Sequence, residues 1–349
     1  MDPERLMREA ISLAAPTRPH PNPRVGALVL DAAGRVVARA AHLGPGHPHA
    51  EAAALGAAGS RARGGTLVVT LEPCDHTGRT PPCAATIVAA GVARVVVGAG
   101  DPDARVAGRG LERLHAAGLE VQSGVAAAEV EALDPAYFHH RRTGRPRVTL
   151  KAALTLDGQA AAADGTSRWI TSPEARRDAH FLRAEADAVV VGSGTLAADD
   201  PHLTVRLPGY DGPQPRPVVV AGRRPLPAGA RLWARHPVVL APTPVEADAE
   251  VAVCPGPDGV DLAAGLAALG GLWLLEVLVE GGPTLSGALL AADLVDRGVL
   301  YLGASLAGGV GRPALAGRFP TLASARKVEI VSAHRVGPDL RVEFLLPPP

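Results

Sequence analysis

LEPCDHTGRTPPC, at residues 71–83, joins two secondary-structure patterns. The apolar run at 66–70 before it predicts a buried β-strand, and the apolar run that begins at Cys83 predicts a helix. Pro81 and Pro82 stand just before that helix, where the first turn tolerates proline. The pattern therefore predicts that Cys74 and Cys83 lie near one edge of a sheet, one after a strand and one at a helix start.

A third candidate ligand lies upstream in HAE, residues 49–51, which opens another predicted helix. His49, Cys74 and Cys83 would leave a fourth zinc position for water, as catalytic zinc sites require. Zinc lowers the pKa of that water toward about 7. Glu51 would then carry a proton from the water to a leaving amine, which indicates a hydrolytic deaminase. A structural zinc site, or three unrelated residues, are the alternatives.

Helix and strand patterns alternate through the first half and predict an α/β domain with a largely buried sheet. The expected helices are at 2–15, 49–59, 83–91, 108–117 and 126–137, and the expected strands at 25–30, 36–40, 66–70, 94–99 and 119–123. HHRRTGRP at 139–146 is polar and contains glycine and proline, which predicts a linker. We expect one domain at 1–144 and a second at 145–349.

The second half predicts another α/β domain that ends in an antiparallel hairpin. Strands are expected at 147–153, 188–191, 218–220, 238–240, 273–279 and 299–302, helices at 173–185, 261–269 and 284–292, and the hairpin strands at 328–331 and 340–346. EGGPT at 280–284 and VGSGT at 191–195 each follow a strand. Glycines there let a phosphate approach the backbone, so the two loops predict a cofactor cleft; ordinary glycine-rich turns are the alternative. Neither loop has the GxGxxG pattern of a Rossmann domain.

Composition limits the class of protein. The 349 residues are 47% hydrophobic, enough for two cores, and the formal net charge is +0, which gives no basic surface for nucleic acid. No apolar run approaches the ~20 residues of a membrane helix. The three cysteines argue against a disulfide scaffold and for the reducing cytoplasm.

The stretch at 71–83, together with HPNPRVG at 20–26, PHAE at 48–51 and DP at 101–102, resembles the bifunctional deaminase/reductase family of riboflavin biosynthesis. The second half resembles the reductase of the same family. Its matching residues are Lys151, LDG at 156–158, Ser167, WITS at 169–172, Arg183, GSGTLAADD at 192–200, LTVR at 203–206 and EGG at 280–282. The resemblance covers nearly the whole chain. It implies a cytidine-deaminase-like three-layer α/β/α domain, followed by a dihydrofolate-reductase-like α/β domain.

Two reactions follow from this resemblance. The first is hydrolytic deamination of 2,5-diamino-6-(5-phosphoribosylamino)pyrimidin-4(3H)-one, and the second is NADPH-dependent reduction of the ribosyl chain to ribityl. The resemblance also implies one zinc ion per chain, NADPH, a small-molecule substrate without nucleic acid or membrane, a cytoplasmic location, and a homo-oligomer that is a dimer or tetramer. The alternative is a zinc deaminase of another nucleobase-like substrate, with a non-catalytic second domain.

The resemblance assigns residue roles as well. In the deaminase, His49, Cys74 and Cys83 hold zinc, Glu51 transfers protons, and Asn22 and His76 bind the pyrimidine. In the reductase, the implied substrate-binding residues are Ser167, Arg183, Leu203, Arg206 and Glu280. The implied cofactor-binding residues are Ala153, Trp169, Thr195, Asp199, Gly281, Gly282, Pro283 and Thr284. Lys151 is a possible catalytic residue. A turn role for Asn22, core packing for Trp169 and a solvated surface charge for each arginine are the alternatives.

Two short segments depart from the family pattern. AGRR at 221–224 stands where the family usually has Asp-Ser, so a side chain that contacts the cofactor is absent near Gly222. We expect Arg223 or Arg224 to meet the 2′-phosphate of NADPH instead. GASL at 303–306 replaces the usual Ala-Pro-Lys-Leu at an edge of the reductase.

Overall fold

The computed structural model describes residues 2–76, 81–222, 224–317 and 321–347. The chain divides into two compact units, Met1–Gly144 and Arg145–Pro349. Among the described residues, no helix is both long enough and apolar enough to cross a membrane.

The described part of the first unit forms a five-stranded mixed sheet between two layers of helices. Its elements are α1 (Pro3–Ala14), β1 (Gly26–Leu30), β2 (Val36–Ala41), α2 (Ala50–Ala58), β3 (Thr66–Leu71), α3 (Cys83–Ala90), β4 (Arg94–Ala99), α4 (Arg109–Ala116), β5 (Glu120–Gln122), α5 (Ala127–Leu133) and α6 (Pro135–Thr143). The strand order is β2-β1-β3-β4-β5, antiparallel around β1 and parallel from β3 to β5. Helix α1 contacts α5, whereas α2 contacts α3 and α3 contacts α4. The predicted three-layer α/β/α domain is confirmed.

Burial explains why β1 is entirely apolar and why β3 is apolar except for Thr66 and Thr70. All residues of both strands are buried. Helices cover both faces of the sheet, so both sets of alternating side chains need to be apolar. The carboxyl ends of β3 and β4 then lie at one edge, where Cys74 follows β3.

Helix α1 packs closely against strand β1 at Gly26. A Cβ atom at Gly26 would lie 2.0 Å from the Ala10 carbonyl oxygen. We expect Gly26→Ala to lower the free energy of unfolding by about 1–3 kcal/mol, because the helix must move away from the sheet. Gly56→Ala is the matched control, since Gly56 lies within α2 and, among the described residues, no atom outside its own stretch of helix lies within 4 Å of an added Cβ. Helix propensity should make that control neutral or up to about 1 kcal/mol more stable in urea unfolding. Equal loss in both variants would contradict the packing argument.

The interpretation of 139–146 as a linker is wrong as far as Thr143. Residues 139–143 belong to α6, which starts at Pro135 with the Asp134 side chain as N-cap and ends at Gly144 with φ 78°. The polar side chains are held by neighbours within the helix, because the guanidinium of Arg141 stacks on the Tyr137 ring at 4.9 Å. Amphipathic arginines can cover aromatic surface and remain charged, so a polar composition did not exclude a helix here.

The described part of the second unit forms a nine-stranded sheet with helices and two short two-stranded sheets. Its elements are β6 (Arg147–Thr155), β7 (Gln159–Ala161), α7 (Pro173–Glu185), β8 (Ala188–Gly192), α8 (Ser193–Asp199), β9 (Arg216–Val220), β10 (Val238–Ala241), β11 (Glu250–Val253), β12 (Pro255–Gly256), β13 (Gly259–Val260), α9 (Leu262–Gly271), β14 (Glu276–Val279), α10 (Pro283–Ala291), β15 (Arg297–Gly303), β16 (Arg312–Pro313), β17 (Glu329–Val336) and β18 (Asp339–Leu345). The order is β11-β10-β9-β8-β14-β6-β15-β18-β17. All neighbours are parallel except β15-β18 and β18-β17. The two short sheets are β12-β13 and β7-β16.

Two apolar clusters lie on opposite faces of this sheet. Ala188 and Val190 belong to one cluster, and Val189 and Val191 belong to the other. Successive strand residues point to opposite faces, so a continuous apolar run fills both clusters. The closing hairpin predicted from the tail is confirmed as β17 and β18. The predicted dihydrofolate-reductase-like α/β domain is also confirmed.

Some boundaries and one helix in the second unit differ from the prediction. The strand expected from residue 273 starts at Glu276, because Trp273 has φ 61° in the turn after α9. The segment 193–199 forms the short helix α8 with Gly192 at its N-cap, rather than only a glycine loop. A glycine-rich sequence alone does not predict helix; the buried contacts of Ser193 and Leu196 favour it here.

Candidate active sites

The three candidate metal ligands converge in the first unit. His49 is the N-cap of α2, Cys74 follows β3, and Cys83 is the first residue of α3. His49 Nδ1 lies 3.2 Å from Cys83 Sγ and 3.7 Å from Cys74 Sγ, and the three ligand atoms lie within 4.8 Å of one another. Ligands about 2.0–2.3 Å from a tetrahedral zinc lie at such separations, so this nitrogen and sulfur set fits zinc.

Local backbone geometry turns His49 and Glu51 toward the same place. Two residues at i and i+2 diverge when both are helical, but His49 is extended, with φ −64° and ψ 155°. Glu51 lies in the first turn of α2, is only 4% exposed, and its carboxyl interacts with the Cys83 thiol. A buried carboxyl beside three ligand atoms can exchange a proton with a molecule bound at the metal position.

The charges at the cluster favour thiolate. The pKa of Cys74 is lowered to about 4, mainly because the Cys83 thiol hydrogen-bonds to it, and His49 adds to the effect. The same hydrogen bond raises the pKa of Cys83. Burial raises the pKa of Glu51. A thiolate and a histidine nitrogen already aimed at one point form a site that can bind a divalent metal without large rearrangement.

The structure places Asn22 beside this cluster. Asn22 contacts His42, which lies next to His49 and is not among the predicted site residues. Asn22 Nδ2 donates to His42 Nε2 at 2.9 Å, and His42 Nδ1 donates to the Pro48 carbonyl oxygen at 3.0 Å. The rings of His42 and His49 lie 5.2 Å apart. The pKa of His42 is lowered by its burial, so a neutral ring accepts from Asn22. The signal in the sequence was weak, because a lone histidine after a strand is common.

A second contact orients the loop that carries Asn22. His20 Nε2 lies 3.1 Å from the Asp134 carboxylate, which also accepts the Arg24 backbone N–H at 2.9 Å. These contacts attach both ends of the loop to the start of α6. His76 lies close to Cys74 in the chain, and its buried Nδ1 finds no hydrogen-bond partner within the described residues. That nitrogen can meet a polar ligand.

In the second unit, Glu280 contacts Arg183, another predicted substrate-binding residue, and Lys151, the possible catalytic residue. Arg183 Nε and Nη2 donate to its two carboxylate oxygens at 2.5 and 3.0 Å, and Lys151 Nζ lies 3.8 Å from it. Arg183 Nη1 also donates to the Thr204 carbonyl oxygen at 2.8 Å. Burial raises the pKa of Glu280, but Lys151 and Arg183 outweigh it and hold the pKa at about 2. Glu280 is therefore ionised and fixes both cations at the carboxyl end of β14.

Three strand-end loops meet next to Glu280 and contain the predicted cofactor glycines. Strands β14, β8 and β9 are parallel neighbours, so their carboxyl ends share one edge of the sheet. A Cβ at Gly282, the N-cap of α10, would lie 3.6 Å from Thr195 Oγ1. The Gly222 backbone N–H donates to Ser193 Oγ at 3.1 Å. The loops therefore form a glycine-rich edge of the kind at which parallel α/β sheets bind phosphorylated ligands.

The other predicted cofactor residues are scattered around this edge. Ala153 lies two residues after Lys151 on β6, so both point to the same face of the sheet. Gly281, Pro283 and Thr284 flank the start of α10. Asp199 is half exposed and pairs with Arg168 at 3.2 Å.

Three further predicted residues differ in their exposure to solvent: Trp169 and Ser167 are exposed, whereas Leu203 is buried. Trp169 is 70% exposed and stacks on Arg176 at 4.3 Å, so it is not a core residue. Ser167 is exposed. Leu203 is only 2% exposed and its side chain belongs to a core cluster, so a ligand can meet only its backbone. Arg224 is exposed, and Arg223 lies outside the described residues.

The folds and sites define a two-domain enzyme that combines a zinc-binding deaminase region with a reductase. Residues 1–99 match the family of the cytidine and deoxycytidylate deaminase zinc-binding region, and residues 146–342 match the RibD C-terminal domain. Riboflavin biosynthesis protein RibD of Escherichia coli is 39% identical over 97% of this chain and 98% of its own length. RibD of Mycobacterium tuberculosis is 42% identical over 93% and 91%. The chain belongs to the RibD family of bifunctional riboflavin biosynthesis enzymes.

Solved structures agree in both domains. RibD of Acinetobacter baumannii is 33% identical, covers 99% of both chains and gives a TM-score of 0.90. A diaminohydroxyphosphoribosylaminopyrimidine deaminase/5-amino-6-(5-phosphoribosylamino)uracil reductase from Thermotoga maritima is 34% identical, also covers 99% of both chains and gives a TM-score of 0.88.

Proposed function

We propose that the first unit hydrolyses the 2-amino group of 2,5-diamino-6-(5-phosphoribosylamino)pyrimidin-4(3H)-one. We propose that the second unit then reduces the ribosyl chain with NADPH, which gives 5-amino-6-(5-phosphoribitylamino)uracil. The observation that carries the proposal is the convergence of His49, Cys74 and Cys83 on one point beside the buried Glu51. A structural zinc site would instead require a fourth protein ligand.

In the deamination, His49, Cys74 and Cys83 would hold one zinc ion per chain. When bound, that ion supplies a water molecule of lowered pKa. The Glu51 carboxylate accepts a proton at its oxygen and delivers it to the leaving amine. Asn22 would bind the edge of the pyrimidine through its amide, oriented by His42. His76 would supply to the same ring its Nδ1 atom, which has no hydrogen-bond partner among the described residues.

In the reduction, one group of residues would bind NADPH and a second group would bind the ribotide substrate. NADPH, when bound, supplies the hydride. Gly281, Gly282, Pro283 and Thr284, with Thr195, Asp199, Ala153 and Trp169, would form its site. Ser167, Arg183, Leu203, Arg206 and Glu280 would bind the ribotide, with Leu203 acting through its backbone. Lys151, held 3.8 Å from Glu280, would hold or donate a proton at its Nζ atom as the sugar ring opens.

Cofactor selectivity and subunit assembly also belong to the proposed function. We keep the expectation that Arg223 or Arg224 meets the 2′-phosphate of NADPH, since two arginines follow Gly222 and the Gly222 backbone borders the glycine-rich edge. A homo-oligomer, a dimer or tetramer, and a cytoplasmic location also stay predictions. The low cysteine count supports the latter.

The first experiment follows both reactions in one sample. Zinc-loaded protein is incubated with the diaminopyrimidinone ribotide, with and without NADPH, while ammonia and NADPH absorbance are measured. We expect ammonia without NADPH, followed by NADPH oxidation once the cofactor is added. Ammonia release with no NADPH oxidation, even with the deaminated ribotide supplied, would favour a deaminase with a non-catalytic second domain. No ammonia from zinc-loaded protein would contradict the deaminase assignment for this substrate.

Zinc content gives a readout that does not depend on activity. We expect Cys83→Ala to lose bound zinc, because two remaining ligands hold the ion weakly. Cys254→Ala is the matched control, since Cys254 is a buried free cysteine of the second unit. It should retain about the wild-type zinc content by metal analysis. Equal zinc in both variants would exclude Cys83 as a ligand.

A further inference from the structure

A cationic cluster surrounds Glu280 in the second unit; it consists of Lys151, Arg183 and Arg206. Lys151 and Arg183 contact the carboxylate directly. Burial lowers the pKa of Arg206, and the positive charge of Arg183 lowers it further. Like charges at such close range repel one another, so the cluster is stabilised when an anion binds. An anionic group of the substrate is the natural occupant.

His180 lies at this cluster but was not selected from the sequence. It precedes Arg183 by three residues on α7, so both side chains leave the same face of the helix. The Arg206 backbone N–H donates to His180 Nδ1 at 3.3 Å. Because a backbone N–H can only donate, Nδ1 is an acceptor and the proton of the neutral ring is on Nε2. Within the described part of the chain, Nε2 makes no hydrogen bond.

The surrounding charges keep this ring neutral. Burial lowers the pKa of His180, the positive charges of Arg183, Arg206 and Lys151 lower it further, and Glu280 acts in the opposite direction. The resulting pKa is about 4. At neutral pH the ring therefore offers a directed N–H donor without adding another positive charge to the cluster.

We propose that His180 binds the substrate of the reductase: its Nε2–H donates to a phosphate oxygen of the ribotide, while its Nδ1 holds the backbone of Arg206. This inference rests on the proposed reductase function. Two features support it, namely the fixed direction of the ring and the excess of positive charge around it. His180 supplies direction, and the three cations of the cluster supply most of the electrostatic attraction.

Two substitutions test the contributions of the two His180 ring nitrogens separately. His180→Asn keeps an acceptor near the Nδ1 position and removes the Nε2 donor. His180→Gln keeps a donor near the Nε2 position and removes the acceptor. NADPH oxidation with the deaminated ribotide should show a KM about 10- to 100-fold higher for His180→Asn, the loss expected for a hydrogen bond to a charged group. The kcat should stay within about twofold, since the contact is made equally in the ground and transition states. His180→Gln should keep KM within about threefold of wild type.

The dephosphorylated substrate provides the decisive control. On the riboside that lacks the phosphate, wild type and His180→Asn should have equal KM values, because the contact is absent in both. Ammonia release by the same preparations should be unchanged, which controls for protein concentration and for folding of the first unit, while the retained kcat of His180→Asn on the ribotide reports folding of the second unit. A KM loss that persists on the riboside, or a His180→Asn variant equal to wild type on the ribotide, overturns the inference. If wild type itself fails to oxidise NADPH with the ribotide, the proposed reductase function fails, and this inference with it.

Discussion

Glu51→Gln is expected to lower the rate of ammonia release by about 10²- to 10⁴-fold, the range of a general acid–base group. Glutamine has nearly the same shape as glutamate, so the buried space beside Cys83 stays filled. It cannot accept a proton at its oxygen and pass it to the leaving amine. The measurement is ammonia release from the diaminopyrimidinone ribotide by zinc-loaded protein.

The reductase reaction of the same variant serves as an internal control. NADPH oxidation with the deaminated ribotide should remain within about twofold of wild type, because Glu51 does not belong to the second unit. The zinc content should also remain, since Glu51 is not among the three converging ligands. Ammonia release near the wild-type rate would show that another group transfers the proton. Loss of zinc together with activity would place Glu51 among the ligands.

Glu280→Gln is expected to abolish most reductase activity and to lower the free energy of unfolding of the second unit by about 3 kcal/mol. The carboxylate is only 13% exposed and neutralises Arg183 and Lys151. A neutral amide would leave both cations partly buried without a counterion. Urea unfolding followed by circular dichroism, with NADPH oxidation measured in parallel, checks both parts.

The stability effect should depend on pH in one direction. The pKa of Glu280 is about 2 in the folded protein, below its ordinary value of about 4.3. A carboxyl whose pKa is lowered by folding contributes stability above its unfolded pKa and loses that contribution as pH falls through the folded pKa. The difference between wild type and Glu280→Gln should therefore be full at pH 7 and decrease from about pH 4 toward pH 2.

Glu276→Gln is the matched control, because Glu276 begins the same strand, β14. It is also buried and accepts a hydrogen bond from Thr149 Oγ1 at 2.6 Å. The pKa of Glu276 is raised overall, mainly by burial, whereas the pKa of Glu280 is lowered overall. Glu276 pairs with Arg147 at 3.4 Å, whereas Glu280 contacts both Arg183 and Lys151, so an amide at Glu276 should cost less stability at pH 7 than Glu280→Gln and leave NADPH oxidation intact. Equal destabilisation by both substitutions would indicate that burial, and not the cationic cluster, determines the effect at Glu280.

Much of the candidate deaminase site could be predicted from the sequence because its candidate ligands are tied to local structure. His49, Cys74 and Cys83 each lie within a residue or a few of a strand end or helix start, and those positions follow from apolar periodicity. Glu51 follows from its spacing to His49. Sequence could not select His42, because its hydrogen bonds to Asn22 and to the Pro48 carbonyl exist only after the loops fold together.

The reductase site depended more on tertiary contacts. Lys151, Arg183 and Glu280 lie far apart in the chain, and the family resemblance pointed to them one at a time. Their mutual ion pairs, and the place of His180 among them, arise where α7 passes the carboxyl ends of β6 and β14. The expected linker at 139–146 failed for a related reason, since packing on Tyr137 keeps Arg141 in a helix that composition disfavoured.

The sequence by itself predicted the two α/β domains and the three candidate metal ligands, because these depend on short-range spacing and apolar periodicity. The family was indicated by the resemblance of its longer motifs. Only the tertiary structure determined which charged side chains contact one another. A pKa and a hydrogen-bond direction are set by neighbours within a few ångströms, and the fold draws those neighbours from distant segments. Tertiary contacts of this kind determine that the His180 ring is neutral, that Glu280 is ionised and that Trp169 is exposed.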